Sequence, residues 1–169
     1  MTHDLFRRQL ASYAAVHRDW RNKTTHFVGI PIIVFSLLLV LSLGRFELGG
    51  RDLTLSLAVA IAAVLGWMAL DLGIGLVMAL LMAVSWFAAG ALAGALGSAS
   101  AVWMAFIVLF VGGWALQFIG HYYFEKNSPL LFGDLTNTLV GVVWAAKEWA
   151  DLFGIELPLP ASATASAAS

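Results

Sequence analysis

Hydrophobic and polar positions fall in long blocks along this chain, and the blocks set the elements. Residues 3–21 place Leu5, Phe6, Leu10, Tyr13, Ala14 and His17 at three- and four-residue steps, with Arg7, Arg8, Arg18 and Arg21 over the other faces. That spacing predicts an amphipathic helix, and a basic helix just before a span lies in the lipid interface. Asn22 and Lys23 are expected to end it, with Thr24 or Thr25 capping the next helix. The first apolar block predicts a span over 27–43, with Pro31 in its first turns, where a missing N–H matters least. The polar, glycine-rich run 44–52 reads as a short loop. Residues 53–96 are too long for one crossing and are broken by one charge, Asp71, followed by Gly73 and Gly75. Two spans, 53–70 and 73–96, hinged at Asp71, follow. Gly90 and Gly94 form a small-xxx-small pair, the pattern of a close helix-packing surface. Gly97, Ser98 and Ser100 make a turn before a fourth span over 101–120.

Lys126 to Pro129 breaks that helix. In 130–149, Leu135, Leu139, Val142, Val143, Ala146 and Trp149 mark one face, which predicts an interfacial or re-entrant helix rather than a fifth span. The low-complexity run 158–169 is expected to be disordered. The expected fold class is all-α: a polytopic membrane helical bundle of four transmembrane helices. An N-terminal amphipathic helix and a C-terminal interfacial or re-entrant helix complete a single domain over 1–157.

Composition agrees with the blocks. The chain is 61% hydrophobic and 11% charged, against about 45–50% and about 25% in soluble domains. A net charge of −1 gives no case for nucleic acid. The absence of cysteine excludes disulfides, iron–sulfur clusters, cysteine-ligated haem and a cysteine nucleophile. The polar first 26 residues do not match a secretory signal, so the first apolar block is expected to be a retained span. Five of the nine lysines and arginines precede that span, which predicts a cytoplasmic N-terminus. Four spans then return the C-terminal segment to the same side, in a bacterial inner membrane or, in a eukaryote, the endoplasmic reticulum. On that parity His17, His26 and His121 share one membrane surface; three or five spans before His121 would separate them.

Two polar islands carry the candidate chemistry. The first runs from His17 to Pro31 and the second from Gln117 to Glu125. On one straight helix His17 and His26 would be about 900° apart and face opposite ways. They converge only if the chain bends between them, and Asn22 to Thr25 is the expected bend. Gln117, His121 and Glu125 follow one another at four-residue steps and line one helix face. Ionisable groups at membrane depth face a bundle interior or cavity, so that face is expected to look toward the first island. Three histidines suit zinc, iron, copper or nickel. With a carboxylate or water added, they leave positions open for substrate. Glu125, Asp19, Gln117 and Asn22 are the reserve ligands, or the groups that fix the imidazole tautomers. The tryptophans read as belt or packing residues.

Together the islands resemble a known family. His17, Asn22, His26, Gly29 and Pro31, with Tyr13 ahead of them, look like one signature. Gln117, Gly120, His121, Phe124, Glu125 and Pro129 look like a second. In this order, with several apolar spans between, they are similar to the 2-hydroxy fatty acid dioxygenases, small membrane proteins of fatty acid α-oxidation. The likeness covers about 13–150; Leu130 stands where the family often has alanine. The resemblance implies an Fe(II)-dependent reaction of a 2-hydroxy long-chain fatty acid with O2, giving the fatty acid one carbon shorter. It implies that His17, His26 and His121 hold the iron and that Gln117, Glu125 and Asn22 act beside it. A 2-hydroxy acid can chelate a metal through hydroxyl and carboxylate, and Arg18, Arg21 or Lys23 can pair with the carboxylate. Its acyl chain is expected to run between the spans, where the glycines leave room, in contact with membrane lipid.

Three other readings are weighed against this one. A zinc-dependent membrane lipid hydrolase would use Glu125 as base. A bis-histidine haem protein needs two facing histidines at equal depth, whereas these sit at span ends. A non-catalytic structural or transport protein lacks support from charges within the spans. Chain-length preference and oligomeric state have no signature in the sequence.

Overall fold

The computed structural model describes residues 13, 17, 19–126 and 136–154, without the side chains of 125, 136–138, 148 and 152. Most of the proposed 3–21 helix, the 127–135 segment and the tail lie outside the described residues.

Helix α1, Trp20–Leu41, is followed by a hairpin of β1, Arg45–Leu48, and β2, Arg51–Thr54. Then come α2, Leu55–Leu70, α3, Leu72–Leu96, and α4, Ala99–Ile119, which runs into a π-helical turn, Gly120–Glu125. The last element is α5, Thr136–Leu152. Among the described residues, three helices are long and apolar enough to cross a membrane: α1, α3, and α4 together with its π turn. Helix α2 is equally apolar but shorter, at 16 residues, or about 24 Å at 1.5 Å per residue against a hydrocarbon core of about 30 Å. Large apolar side chains point outward from α3 and α4, Leu80, Phe87 and Val108 being 67%, 74% and 67% exposed. A helix that is apolar all round is made to be buried, and these outward faces suit a lipid bilayer.

Local chemistry explains where each helix stops. Asp19 caps α1, its Oδ1 accepting from the Arg21 N–H at 2.8 Å. Asn22 to Thr25 therefore lie inside the helix, and the bend expected there falls earlier, between His17 and Trp20. Aspartate at the N-cap satisfies the orphan N–H of Arg21, so the helix starts before Thr24 or Thr25 is reached. Asp71 is the predicted hinge; its carboxylate accepts from Ile74 N–H at 3.0 Å and starts α3. Gly97 ends α3 in a left-handed conformation, and Ser98 caps α4. The run 44–52 is a hairpin rather than a plain loop. Gly49 and Gly50 both have positive φ, +59° and +73°, which the tight turn between twisted strands requires, and Arg45 pairs with Thr54.

Because α1 begins at Trp20, Pro31 sits in its interior and not in its first turns. It has no N–H for the Phe27 carbonyl four residues back. Trp149 of α5 supplies the missing donor, its indole Nε1–H reaching the Phe27 carbonyl at 3.0 Å. The two rings stack at 4.0 Å. At the other end of α5, the buried Trp67 of α2 donates to the Leu139 carbonyl at 3.1 Å. Two indoles expected only in belt or packing positions thus fasten α5 across the bundle. The buried stripe of α5 holds Val140, Val143, Trp144 and Lys147. It is turned from the predicted one, on which Leu139, Val142 and Ala146 are half-buried and Trp149 exposed.

Helices α1 and α4 make the most extensive contact in the bundle. Gly29 and Gly113 face each other there: a Cβ on Gly29 would lie 3.0 Å from the Gly113 carbonyl, and one on Gly113 would lie 2.6 Å from Ile33 Cγ1. Gly90 and Gly94 do not form a packing surface among the described residues, since a Cβ at either would meet nothing within 4 Å.

Candidate metal centre

Successive helices joined by tight turns run in opposite directions. The start of α1, the Asp71 turn and the end of α4 therefore lie at one end of the bundle, and the histidines gather there. His17, His26 and His121 are all buried, and one ring nitrogen from each lies within 4.8 Å of the others. The ring centroids are 4.4 Å apart for His17 and His26, 5.0 Å for His17 and His121, and 4.7 Å for His26 and His121. His17 joins His26 because it precedes the Asp19 cap and is released from the phase of α1.

Backbone carbonyls set two of the tautomers. His26 Nδ1–H donates to the Asn22 carbonyl at 3.0 Å, and His17 Nδ1–H donates to the Tyr13 carbonyl at 2.6 Å. A carbonyl only accepts, so both rings keep their lone pair on Nε2. His26 Nε2 meets His121 Nε2 at 3.0 Å. Either a proton on His121 Nε2 or a metal ion shared by the two lone pairs accounts for that contact. Nitrogens on one ion, with bonds of about 2.1 Å, are about 3.0 Å apart at right angles and about 3.4 Å apart in a tetrahedral site. The donor set fits an imidazole-seeking divalent metal, and its outer carbonyls are of the kind that hold metal-binding histidines in place.

Aromatic and small residues shape the surround. Tyr13 stacks on His17 at 4.3 Å, and Trp144 from α5 lies 4.8 Å from His17. Burial pushes the Tyr13 phenol above its ordinary range, so it stays protonated. Gly120 opens the π turn against α1, where a Cβ would overlap Asn22 Oδ1 and Thr25 Oγ1. π turns inside α-helices recur at functional sites, and this one delivers His121 to the cluster. Gln117 is buried one turn before His121, and its Nε2 has no hydrogen-bond partner among the described residues.

A family model, 2-hydroxy-palmitic acid dioxygenase Mpo1-like, matches residues 3–152. The chain belongs to the Mpo1-like family. No curated protein and no solved structure matches it.

The residues that carry the resemblance to the Mpo1-like family divide in the structure. His17, His26 and His121 come together, with Asn22 and Gln117 buried around them. Asp19, a reserve ligand from spacing, serves as the α1 cap. Arg21 does not join the histidines; its guanidinium lies over the rings of Trp20 and Phe124, 5.8 and 5.6 Å from their centroids. Lys23 sits half-buried on α1, about 100° round the helix from Asn22. Arg18 and the Glu125 side chain lie outside the described residues. Two features went unread in the sequence. Trp144 contacts the histidines from α5. Lys147 is buried on the same stripe and paired with Asp151, which the four-residue spacing of opposite charges could have flagged.

Proposed function

We propose that this chain is an Fe(II)-dependent dioxygenase that converts a 2-hydroxy fatty acid and O2 into the fatty acid one carbon shorter. The observation that carries the reading is the convergence of three buried imidazoles from chain positions 17, 26 and 121, two of them held by Nδ1–H bonds to backbone carbonyls. His17, His26 and His121 would hold the iron. When bound, iron would supply a place for the hydroxyl and carboxylate of the substrate beside O2. Three protein ligands leave the positions this needs. The electrons balance within the substrate: carbon 2 becomes the new carboxyl, carbon 1 leaves as carbon dioxide, and O2 is reduced without a second reductant, with water as the other product.

The chain's own residues bind and orient. Gln117 offers a buried amide donor toward the substrate head group. Trp144 and Tyr13 exclude water from one side. Glu125 and Asn22 act beside the iron. Arg21, at the rim over Phe124, and Arg18 or Lys23 attract the carboxylate. In this reading α2 crosses the membrane with α1, α3 and α4, so that four spans place the site at the cytoplasmic surface, where a lipid acid with a polar head arrives.

The test is anaerobic loading of the detergent-purified protein with Fe(II), then O2 uptake on adding 2-hydroxypalmitate. We expect uptake with release of the shortened acid, and loss of both in His121→Ala while its circular dichroism stays helical. Bound zinc without iron, with activity that survives removal of O2, would instead favour a hydrolase.

A further inference from the structure

A cavity of about 470 Å³ opens between α1, α3 and α5, within the roughly 300–1,000 Å³ range of small-molecule sites. Its lining is apolar except for the Ser85 hydroxyl and the Trp149 indole, whose N–H already bonds the Phe27 carbonyl. No glycine lines it. The room expected from the glycines comes instead from Ala145, Ala146 and Ala150 on the underside of α5 and from the proline interruption in α1. Gly29 and Gly113 are closed against each other.

The cavity lies beside the metal centre, although none of the three histidines lines it. Its α1 wall begins at Ile30, four residues or about 6 Å beyond His26. Its α5 wall includes Ala145, next to the Trp144 that touches the histidines. Helix α3 runs inward from the same end of the bundle, and its last lining residue is Ser85. Ser85 lies 13 residues past Leu72, or about 20 Å along the helix. One membrane leaflet, half of a hydrocarbon core of about 30 Å, is matched by one long acyl chain. Along α3 the lining runs from Val77 to Ser85, about 12 Å, close to the roughly 15 Å of one leaflet.

We propose that this cavity holds the acyl tail of the 2-hydroxy acid whose head group sits at the histidines, and that Ser85 on its floor sets the longest chain accepted. The proposal rests on the dioxygenase reading for the identity of the head group. The tail lies under α5, with Trp149 and Phe153 at its interfacial end and Met82 and Ser85 at its deep end. Between the Trp149 indole and the Ser85 hydroxyl, the lining is apolar and suits a hydrocarbon tail. The methionines Met78 and Met82 give walls that adapt to a flexible chain.

The test is binding rather than turnover. Fe(II)-loaded full-length protein is titrated without O2 with 2-hydroxydecanoate, 2-hydroxypalmitate and 2-hydroxystearate. Ser85→Phe is expected to weaken the two longer acids by about tenfold and the shortest by less than about twofold. Ser85→Leu, which adds less volume, shifts the preference the same way by less. Met82→Ala shifts it toward longer chains. Equal weakening at every length, or no change in any variant, overturns the proposal. So does displacement of a resident diacyl phospholipid with no 2-hydroxy acid binding, which would make the cavity a lipid site. A chain-length shift in binding with no O2 uptake by the wild type would leave the cavity standing and remove the dioxygenase. O2 uptake on 2-hydroxy acids with a flat length profile would do the reverse.

Discussion

Replacing Trp149 with phenylalanine removes one hydrogen-bond donor and keeps most of a ring. The Phe27 carbonyl would lose its partner at 3.0 Å, while a phenyl ring would still stack on Phe27. Pro31 has already removed the helix's own donor for that carbonyl, so no neighbour on α1 can replace the indole. Leaving a buried acceptor unmet costs about 1–3 kcal/mol. Trp149 is only partly covered, at 40% exposure, which moves the expected loss to the low end, about 1 kcal/mol. The diagnostic is the second mutation. In Pro31→Ala the residue at 31 regains an N–H, and the Phe27 carbonyl is satisfied within α1. Trp149→Phe in that background should cost less than half of what it costs alone. The double-mutant cycle then shows a coupling of about 0.5–1 kcal/mol. Reversible unfolding in mixed detergent micelles, followed by circular dichroism, supplies the four free energies. Because α5 also carries Trp144 to the histidines, iron affinity should fall in Trp149→Phe and recover in the double variant. Equal cost in both backgrounds would refute the argument and leave the indole as a packing residue.

Two further outcomes follow from close approaches near the histidines. Gly120→Ala puts a methyl into Asn22 Oδ1 and Thr25 Oγ1, so the π turn must shift. Overpacking of this kind costs about 1–3 kcal/mol, and iron affinity, measured by competition with a chelator, should fall at least about tenfold; wild-type affinity in the variant would show that the turn has room. Gly29→Val forces α1 from α4, where even a Cβ would come 2.5 Å from Gln117 Nε2; thermal unfolding in detergent should show the protein destabilised, and unchanged stability would mean that the two helices do not rely on that contact.

The helical frame was legible because its signals are local. Asp71 is a charge in an apolar run, and a half-buried hinge with a carboxylate that caps the next helix is an economical way to accommodate it. Gly97 and Ser98 mark a left-handed stop and a cap. The hairpin is not legible as strands: Gly49 and Gly50 mark its turn, but Arg45, Glu47, Arg51 and Asp52 give the short run the composition of a loop. The phase of α5 was not legible. Which face it buries depends on Trp67 and Trp149, residues reaching a carbonyl on another helix in each case, and no periodicity within 136–152 contains that. Pro31 illustrates the same limit: its effect on Phe27 is local, but the donor that answers it comes from a residue more than a hundred positions away.

The histidines show how a site can be readable as a set and unreadable as a geometry. Helical phase correctly forbids His17 and His26 from cooperating on one helix. Asn22, Thr24 and Thr25 are good caps and point to a bend there, yet Asp19 takes the cap and leaves them in α1. That earlier start has a consequence for function. With α1 beginning at Trp20, Asn22 lies one turn before His26, so its carbonyl accepts the His26 Nδ1–H, and its side chain faces Gly120. A bend at Asn22 would have removed both contacts. The residue is therefore held in the helix by the requirement that His26 present Nε2. The glycine opposite is what lets α4, through its π turn, bring His121 to within 3.0 Å of that atom. Asn22, Gly120 and the Asp19 cap thus act as one device for setting the imidazole nitrogens of His26 and His121.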